Sequence, residues 1–421
     1  MADLWAIRTG IEARGLLRDA ARLYRRAALA GDANAAVGLV RCWHLAHPGD
    51  RRAARWAAEN APVDDPAPAA HLLRALRMAG ADDEARHLAG RAAAGVRLDD
   101  PPGVADLVVT LRKACAEDQV RRLAERGAEL ADLDNPWAGV DPPTVLAEAH
   151  RKAMEEYAAS PPAMPTAADV RLDDPIEVTC LLAELRENGE LDQARLLAAR
   201  ASPAISVDSP FAVAEFLREL RQLGAADAAA SLVSRDPAGQ VRLDRPFGVR
   251  DLLIEFSEAD AEEQARLLAG RAAADTPDDA LNSADSAAAL LHGLWHARAR
   301  EQVRLLAGRA AGRIPLDDAR SVAQILDILA EAGAQAQVAA LLGRDLGMRV
   351  PPGNQQTAAA LLAALRKAGA DHQAEMLIRR LPEAGLFGLF REQPGNERLY
   401  QFGREADGGP APAWSWDDIW Q

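Results

Sequence analysis

Three sets of residues have types and spacings that could do chemistry. The first is a row of arginines, Arg91, Arg126, Arg200, Arg235, Arg271, Arg309, Arg344 and Arg380, each at the same place in a recurring segment. Guanidiniums set along one face could grip phosphates or an acidic peptide through paired N–H donors. They could equally lay their stems over neighbouring alanines and pair with loop aspartates, adding about 0–1 kcal/mol per exposed pair. The second set is the aspartates that precede prolines, as in Asp64-Asp65-Pro66, Asp99-Asp100-Pro101 and Asp173-Asp174-Pro175. A ladder of carboxylates could bind calcium, but ligand spacing of the EF-hand or glycine-aspartate kind is absent. The third is an aromatic tail that ends in Trp414, Trp416 and Trp420. Exposed tryptophans make strong interface anchors, and the same residues could instead cap the end of a stack.

Histidines at i and i+4, His292 and His296, could share a metal, yet Gly293 stands where a zincin has glutamate and no third ligand is evident. His44 and His47 beside Cys42 form a similarly weak constellation. Neither set is expected to bind metal. No phosphate-binding loop, dinucleotide fingerprint, nucleophile elbow or HExxH helix occurs, so no catalytic residue and no cofactor is assigned.

The elements that must position these residues follow from a repeat. The anchor V/L-D-x-P begins at Val63, Leu98, Leu133, Leu172, Val207 and Leu243, with degenerate copies at Leu281, Leu316 and Val350, in steps of 34 to 39 residues. Asp before Pro places a capping carboxylate at a helix start and a ring at the first helical position, where no amide donor is missed. Each anchor leads into an apolar stripe such as Leu72/Leu73/Leu76, then a glycine, then a second stripe such as Ala85/Leu88/Ala89/Ala92. Gly80, Gly189, Gly224, Gly333 and Gly369 are the left-handed stops between the two. One hairpin cannot bury both stripes, so hairpins must stack. The sequence therefore predicts an all-α fold, a right-handed αα-solenoid of about 35-residue hairpins with a non-repeat C-terminal cap. Seven residues before each arginine stands a Glu or Gln in seven of the eight units, among them Gln264, Gln337 and Gln373, placed to reach back to its own helix cap as in a capping box.

Composition agrees. Of 421 residues, 49% are hydrophobic and only 4% aromatic, which disfavours sandwiches and barrels. A net charge of −14 opposes a general nucleic-acid or anionic-membrane role. Three scattered cysteines, Cys42, Cys115 and Cys180, fit a reducing compartment. With no signal peptide and no long uncharged apolar run, the cytoplasm is the expected location.

The spacing L-x-x-L-x-x-x-G-x-x-x-x-A-x-x-L, as from Leu73 to Leu88, resembles a degenerate tetratricopeptide repeat from which most aromatic landmarks are missing. Leu23 to Ala36, with its A-x-x-G-x-x-x-A-A turn, is similar to a SEL-like repeat in one unit only. From about residue 62 the chain also resembles an actinobacterial type of repeat protein with LDDP anchors and a Phe-Gly-Arg-Glu tail. The resemblance implies a fold and, through it, a scaffold, adaptor or sensor that binds a peptide or domain on its concave face. A 35-residue helical period is also that of pentatricopeptide RNA readers, but the aspartates, the net charge and the scarcity of aromatics oppose a base-stacking platform.

The expected organisation is divergent SEL-like hairpins over 1–61, a first array over 62–136, an atypical unit over 137–169 broken by Pro161, Pro162 and Pro165, a second array over 170–380, and an aromatic cap and tail over 381–421. The expected function is a non-enzymatic scaffold, adaptor or regulator that binds a protein partner through the concave surface and the tail, whose last eight residues are taken as exposed. The alternative is a sensor or assembly component that binds a small anionic or phosphorylated ligand through the arginine row. No membrane partner is expected and nucleic acid is disfavoured.

Overall fold

The computed structural model describes residues 2–114, 116–131, 172 and 174–420. Cys115, the anchor from Leu133 and the proline-rich unit over 137–169 lie outside the described residues. The described chain is all-helical hairpins, in two compact units: Met1–Ser160 with Leu381–Gln421, and Pro161–Arg380.

The anchors start helices as their chemistry requires. Pro66, Pro101, Pro175, Pro210 and Pro246 each occupy the first helical position. The residue before most of them caps the helix: Asp65 Oδ1 accepts from the Ala67 amide at 3.2 Å, Asp174 Oδ1 from Ile176 at 2.9 Å. Degenerate anchors keep the cap without the proline, since Ser283, Asp318 and Asn354 accept from amides three residues on at 3.0, 2.8 and 3.0 Å. Asp100 and Arg245 make no such bond.

The first helices of the hairpins (A) end where expected, with Gly80, Gly189, Gly224, Gly333 and Gly369 all at positive φ. Two units reach the same left-handed turn without glycine, at Asp260 (φ 53°) and Arg298 (φ 56°). In both arrangements a 6→1 bond closes the turn, as from Ala81 N to Leu76 O at 2.9 Å and from Ala261 N to Phe256 O at 2.8 Å.

In Met1–Ser160 with Leu381–Gln421 the helices are α1 (Ala2–Ala13), α2 (Leu17–Leu29), α3 (Ala33–Ala46), α4 (Arg52–Asn60), α5 (Pro66–Met78), α6 (Asp82–Gly95), α7 (Pro101–Lys113) and α8 (Glu117–Ala131). Helices α3, α5 and α7 form the A layer, and α4, α6 and α8 the second-helix (B) layer. Both predicted stripes are buried between them. In both units neighbouring A helices pack against each other more closely than neighbouring B helices, so the A layer is the tighter side of each stack. Glycine permits that approach: a Cβ on Gly293 would stand 2.8 Å from Arg250 Cα, on the backbone of the preceding A helix.

Candidate functional site

The arginine row has partners that sequence does not reveal. Seven of the eight guanidiniums reach back to the preceding hairpin and donate to carbonyls at the C-terminal end of its B helix. Arg91 Nη1 donates to Ala58 O at 2.6 Å and Nη2 to Ala61 O at 3.0 Å. Arg126 meets Ala93 and Val96 at 2.7 and 2.8 Å, and Arg344 meets Ala311 and Ile314 at 3.0 and 2.7 Å. Arg380 meets Gly347 and Val350 at 2.7 and 3.0 Å. Arg271 takes Ala238 and Val241 in the same way, and Arg235 takes Ser202. Arg309 adds to its carbonyls the loop carboxylate of Asp278 at 2.9 Å, an arginine of the row paired with a loop aspartate as expected. Arg200 is engaged as well. Burial lowers the pKa of Arg344 and Arg380. The row thus stitches successive hairpins and does not stand open as an anion grip.

The glutamines correct the capping-box expectation. Gln264 Oε1 accepts from Ala238 N at 2.9 Å, and Gln373 Nε2 donates to Leu342 O at 2.6 Å, both in the preceding hairpin. There the B helix is broken, at Asp236 (φ 53°) and at Asp345 (φ 62°), into Ala226–Val233 with Pro237–Gln240 and Gln335–Leu342 with Leu346–Arg349. The break frees backbone groups and the glutamine of the next hairpin occupies them.

The tail folds back on the N-terminal helices. Trp414 is buried, not exposed: its Nε1 donates to Phe402 O at 2.9 Å and its ring packs edge-on against Trp43 and His47. Trp416 stands edge-on to Trp43, with centroids 5.0 Å apart, and is half-buried. Trp420 keeps 54% exposure, and the Arg25 guanidinium covers one face of its ring at 3.0 Å. Arg22 Nε and Arg25 Nη1 donate to Asp418 O and Ile419 O at 2.8 and 3.2 Å, and Arg18 holds Glu405 at 2.9 Å. Of the last eight residues, Ser415, Asp417 and Trp420 are exposed as expected, while Trp414 and Ile419 are buried, because Arg22 and Arg25 of α2 and the Trp43–His47 stack hold the segment. The tail is a cap, and it covers the beginning of the chain.

The histidine sets do different work. His47 Nε2 donates to Trp414 O at 2.6 Å, and burial lowers its pKa. His292 and His296 lie with ring centroids 6.5 Å apart. No group of three His, Cys, Asp or Glu able to hold a metal occurs among the described residues.

What remains open is a groove of about 860 Å³ on the A face of Met1–Ser160 with Leu381–Gln421. Its walls are Val37, Val40, Arg41, His44 and Leu45 of α3 and His71, Arg74, Ala75 and Met78 of α5, with Thr9 and Tyr24 closing one side. Leu45 is 37% exposed and Met78 84%. The groove is lined by no Asp or Glu, in a chain of net charge −14. Glu12 lies beneath it, accepting from Tyr24 at 2.7 Å and from Arg41; burial and Glu12 push the Tyr24 pKa up. Arg74 holds Asp106 on the rim at 2.9 Å and keeps that carboxyl below its usual range. The corresponding face of Pro161–Arg380 is already occupied by cross-hairpin ion pairs, Arg186 with Glu219 at 2.6 Å and Arg218 with Glu255 at 2.8 Å. A larger depression of about 1240 Å³ in that unit lies beside the broken B helix; it is rich in carboxylates, and its Gln264 and Arg271 are spent on backbone groups. The groove residues escape a sequence reading that seeks one stripe per helix. Their signal is a second stripe, His71, Arg74, Ala75 and Met78 at i, i+3, i+4 and i+7, on the face of α5 turned away from α6.

No protein-family model matches this chain, and no curated protein matches it. Solved structures do. A pentatricopeptide repeat protein from maize is 13% identical, over 88% of this chain and 68% of its own, with a TM-score of 0.25. A circular tandem repeat protein is also 13% identical, over 93% and 73%, with a TM-score of 0.11.

Proposed function

We propose that the chain is a non-enzymatic, protein-binding repeat scaffold that acts as an adaptor or regulator and takes its partner on the A face of α3 and α5. The observation that carries this is the open apolar groove: Met78, Leu45 and the half-buried Val37 give it accessible apolar surface that no segment of the described chain covers. Of the two contact regions expected from sequence, the helical face, here that of the A helices, fits this role, while Trp414 is spent within the fold. The free thiols of Cys42 and Cys180 favour a reducing compartment, so the cytoplasm is its proposed place. No helix of the described residues is long and apolar enough to cross a membrane.

The test is a randomised peptide library displayed on phage and panned over the full chain. Enriched peptides should lose binding to Met78→Glu, whose far-UV dichroism should match the wild type. No enrichment, or enrichment indifferent to Met78→Glu, refutes the reading. The alternative of a small phosphorylated ligand held by the arginine row is weakened by the carbonyls those arginines already hold. Thermal shifts with phosphorylated metabolites that disappear in Arg344→Ala would restore it.

A further inference from the structure

We infer that the partner segment is an amphipathic helix with an apolar face and carboxylates along its flank. This rests on the groove being the contact site and names what fits it. The walls are two helical stripes, so the trough offers side chains and no strand edge with which an extended peptide could pair. From Val37 to Leu45 the wall spans eight residues, about 12 Å at the helical rise, which matches two turns of a guest helix with anchors at i, i+3 or i+4, and i+7. Met78 on the rim is unbranched and adapts to irregular apolar guests.

Charge selects the flank. Every ionisable side chain lining the walls besides Tyr24 is basic: Arg41, His44, His71 and Arg74. Arg41 is matched by Glu12 below. Arg74 is matched only by Asp106 across an exposed rim, both side chains being more than 40% accessible, so a guest carboxylate can compete for it. His44 and His71 make no hydrogen bond among the described residues and present ring nitrogens that a carboxylate can accept from. Carboxylates farther than about 8 Å from the walls are largely screened at physiological salt, so what a guest meets is the donors of Arg74, His44 and His71.

The probes are two dye-labelled helical peptides with leucine at i, i+3, i+4 and i+7, one flanked by glutamate and one by lysine, titrated by fluorescence anisotropy against the full chain. The glutamate peptide should bind about tenfold tighter or more, and the advantage should fade in about 0.5 M salt. The double variant His71→Glu/Arg74→Glu should reverse the preference while leaving the far-UV dichroism unchanged. Equal binding, or a preference for lysine that Met78→Glu still abolishes, overturns the acidic partner and leaves the groove as contact site. If neither peptide binds, the inference falls; dimerisation of the chain lost in Met78→Glu would then assign the groove to a second copy, and displacement of a fluorescent fatty acid to a lipid-like ligand. An empty phage library would remove the contact site itself.

Discussion

Arg91→Ala tests the stitching of the hairpins most directly. The two acceptors, Ala58 O and Ala61 O, belong to residues with at most 1% exposure, at 2.6 and 3.0 Å from the guanidinium. A hydrogen bond to a charged group contributes about 1.5–3 kcal/mol, and an acceptor left unpaired in a buried place costs about 1–3 kcal/mol. Arg91 itself is only half-buried, so water recovers part of the loss and its side chain regains rotamer freedom. A net loss of about 2–4 kcal/mol is expected. Arg86→Ala is the control: it lies on the same helix, 70% exposed and paired with Asp83 one turn away, and should cost about 0.5 kcal/mol or less. Stacked hairpins need not unfold in one step, so native-state hydrogen exchange reads the effect better than one melting point. Amides at the end of α4, that of Ala61 included, should exchange one to three orders of magnitude faster in Arg91→Ala and little changed in Arg86→Ala. If the two variants behave alike, or if inorganic phosphate protects the wild type and not Arg91→Ala, the guanidinium was free and the stitching argument fails.

Trp414→Ala should destabilise Met1–Ser160 with Leu381–Gln421 by about 3–5 kcal/mol, read as loss of near-UV dichroism and earlier urea unfolding, because it empties the site against Trp43 and His47. Stability should fall as pH drops below about 6.5, the ordinary value for histidine. The folded His47 resists protonation because burial penalises its charged form, so the unfolded chain binds more protons in that window and stability rises with pH. His47→Gln should flatten this part of the slope in denaturation series; an unchanged slope assigns it elsewhere. Gly90→Ala should stabilise by about 0.5–1 kcal/mol, since nothing lies within 4 Å of the new methyl on a helix interior. Gly293→Ala should cost about 1–3 kcal/mol against the Arg250 backbone. Thermal unfolding of the two variants settles both signs.

What the sequence makes legible is whatever repeats locally. Proline at the first helical position, the capping residue before it and the glycine after the A helix are all short-range chemistry, and they set the hairpins where the period puts them. The glycine rule misses Asp260 and Arg298 because a single left-handed non-glycine residue costs only about 1–2 kcal/mol, which hairpin packing overrides. The kink at Asp236 has a cue in Pro237, while that at Asp345 has none. The arginine row is visible as a pattern, but its acceptors lie 30 to 36 residues back, and a backbone carbonyl leaves no mark on the residue type that carries it. Gln264 and Gln373 mislead for the same reason. The tail reads as a cap from its aromatics, yet nothing local says that Trp420 meets Arg25. The groove is missed because its apolar residues share a helix with a stronger, buried stripe.

The pairing of Arg25 with Ile419 and Trp420 has a consequence for how the molecule comes to order. The N-terminal helices leave the ribosome first, but the surface of α2 and α3 that meets the tail waits for residues synthesised nearly 400 positions later. Closing so long a loop is entropically slow, and until it closes Trp43 and its neighbours are open to water and to other chains. Pro161–Arg380, whose contacts join adjacent hairpins, has no such delay. Synthesis should therefore yield a nascent chain whose middle is settled while the surface of α2 and α3 is still adhesive, with emergence of the tail as the event that ends the exposure.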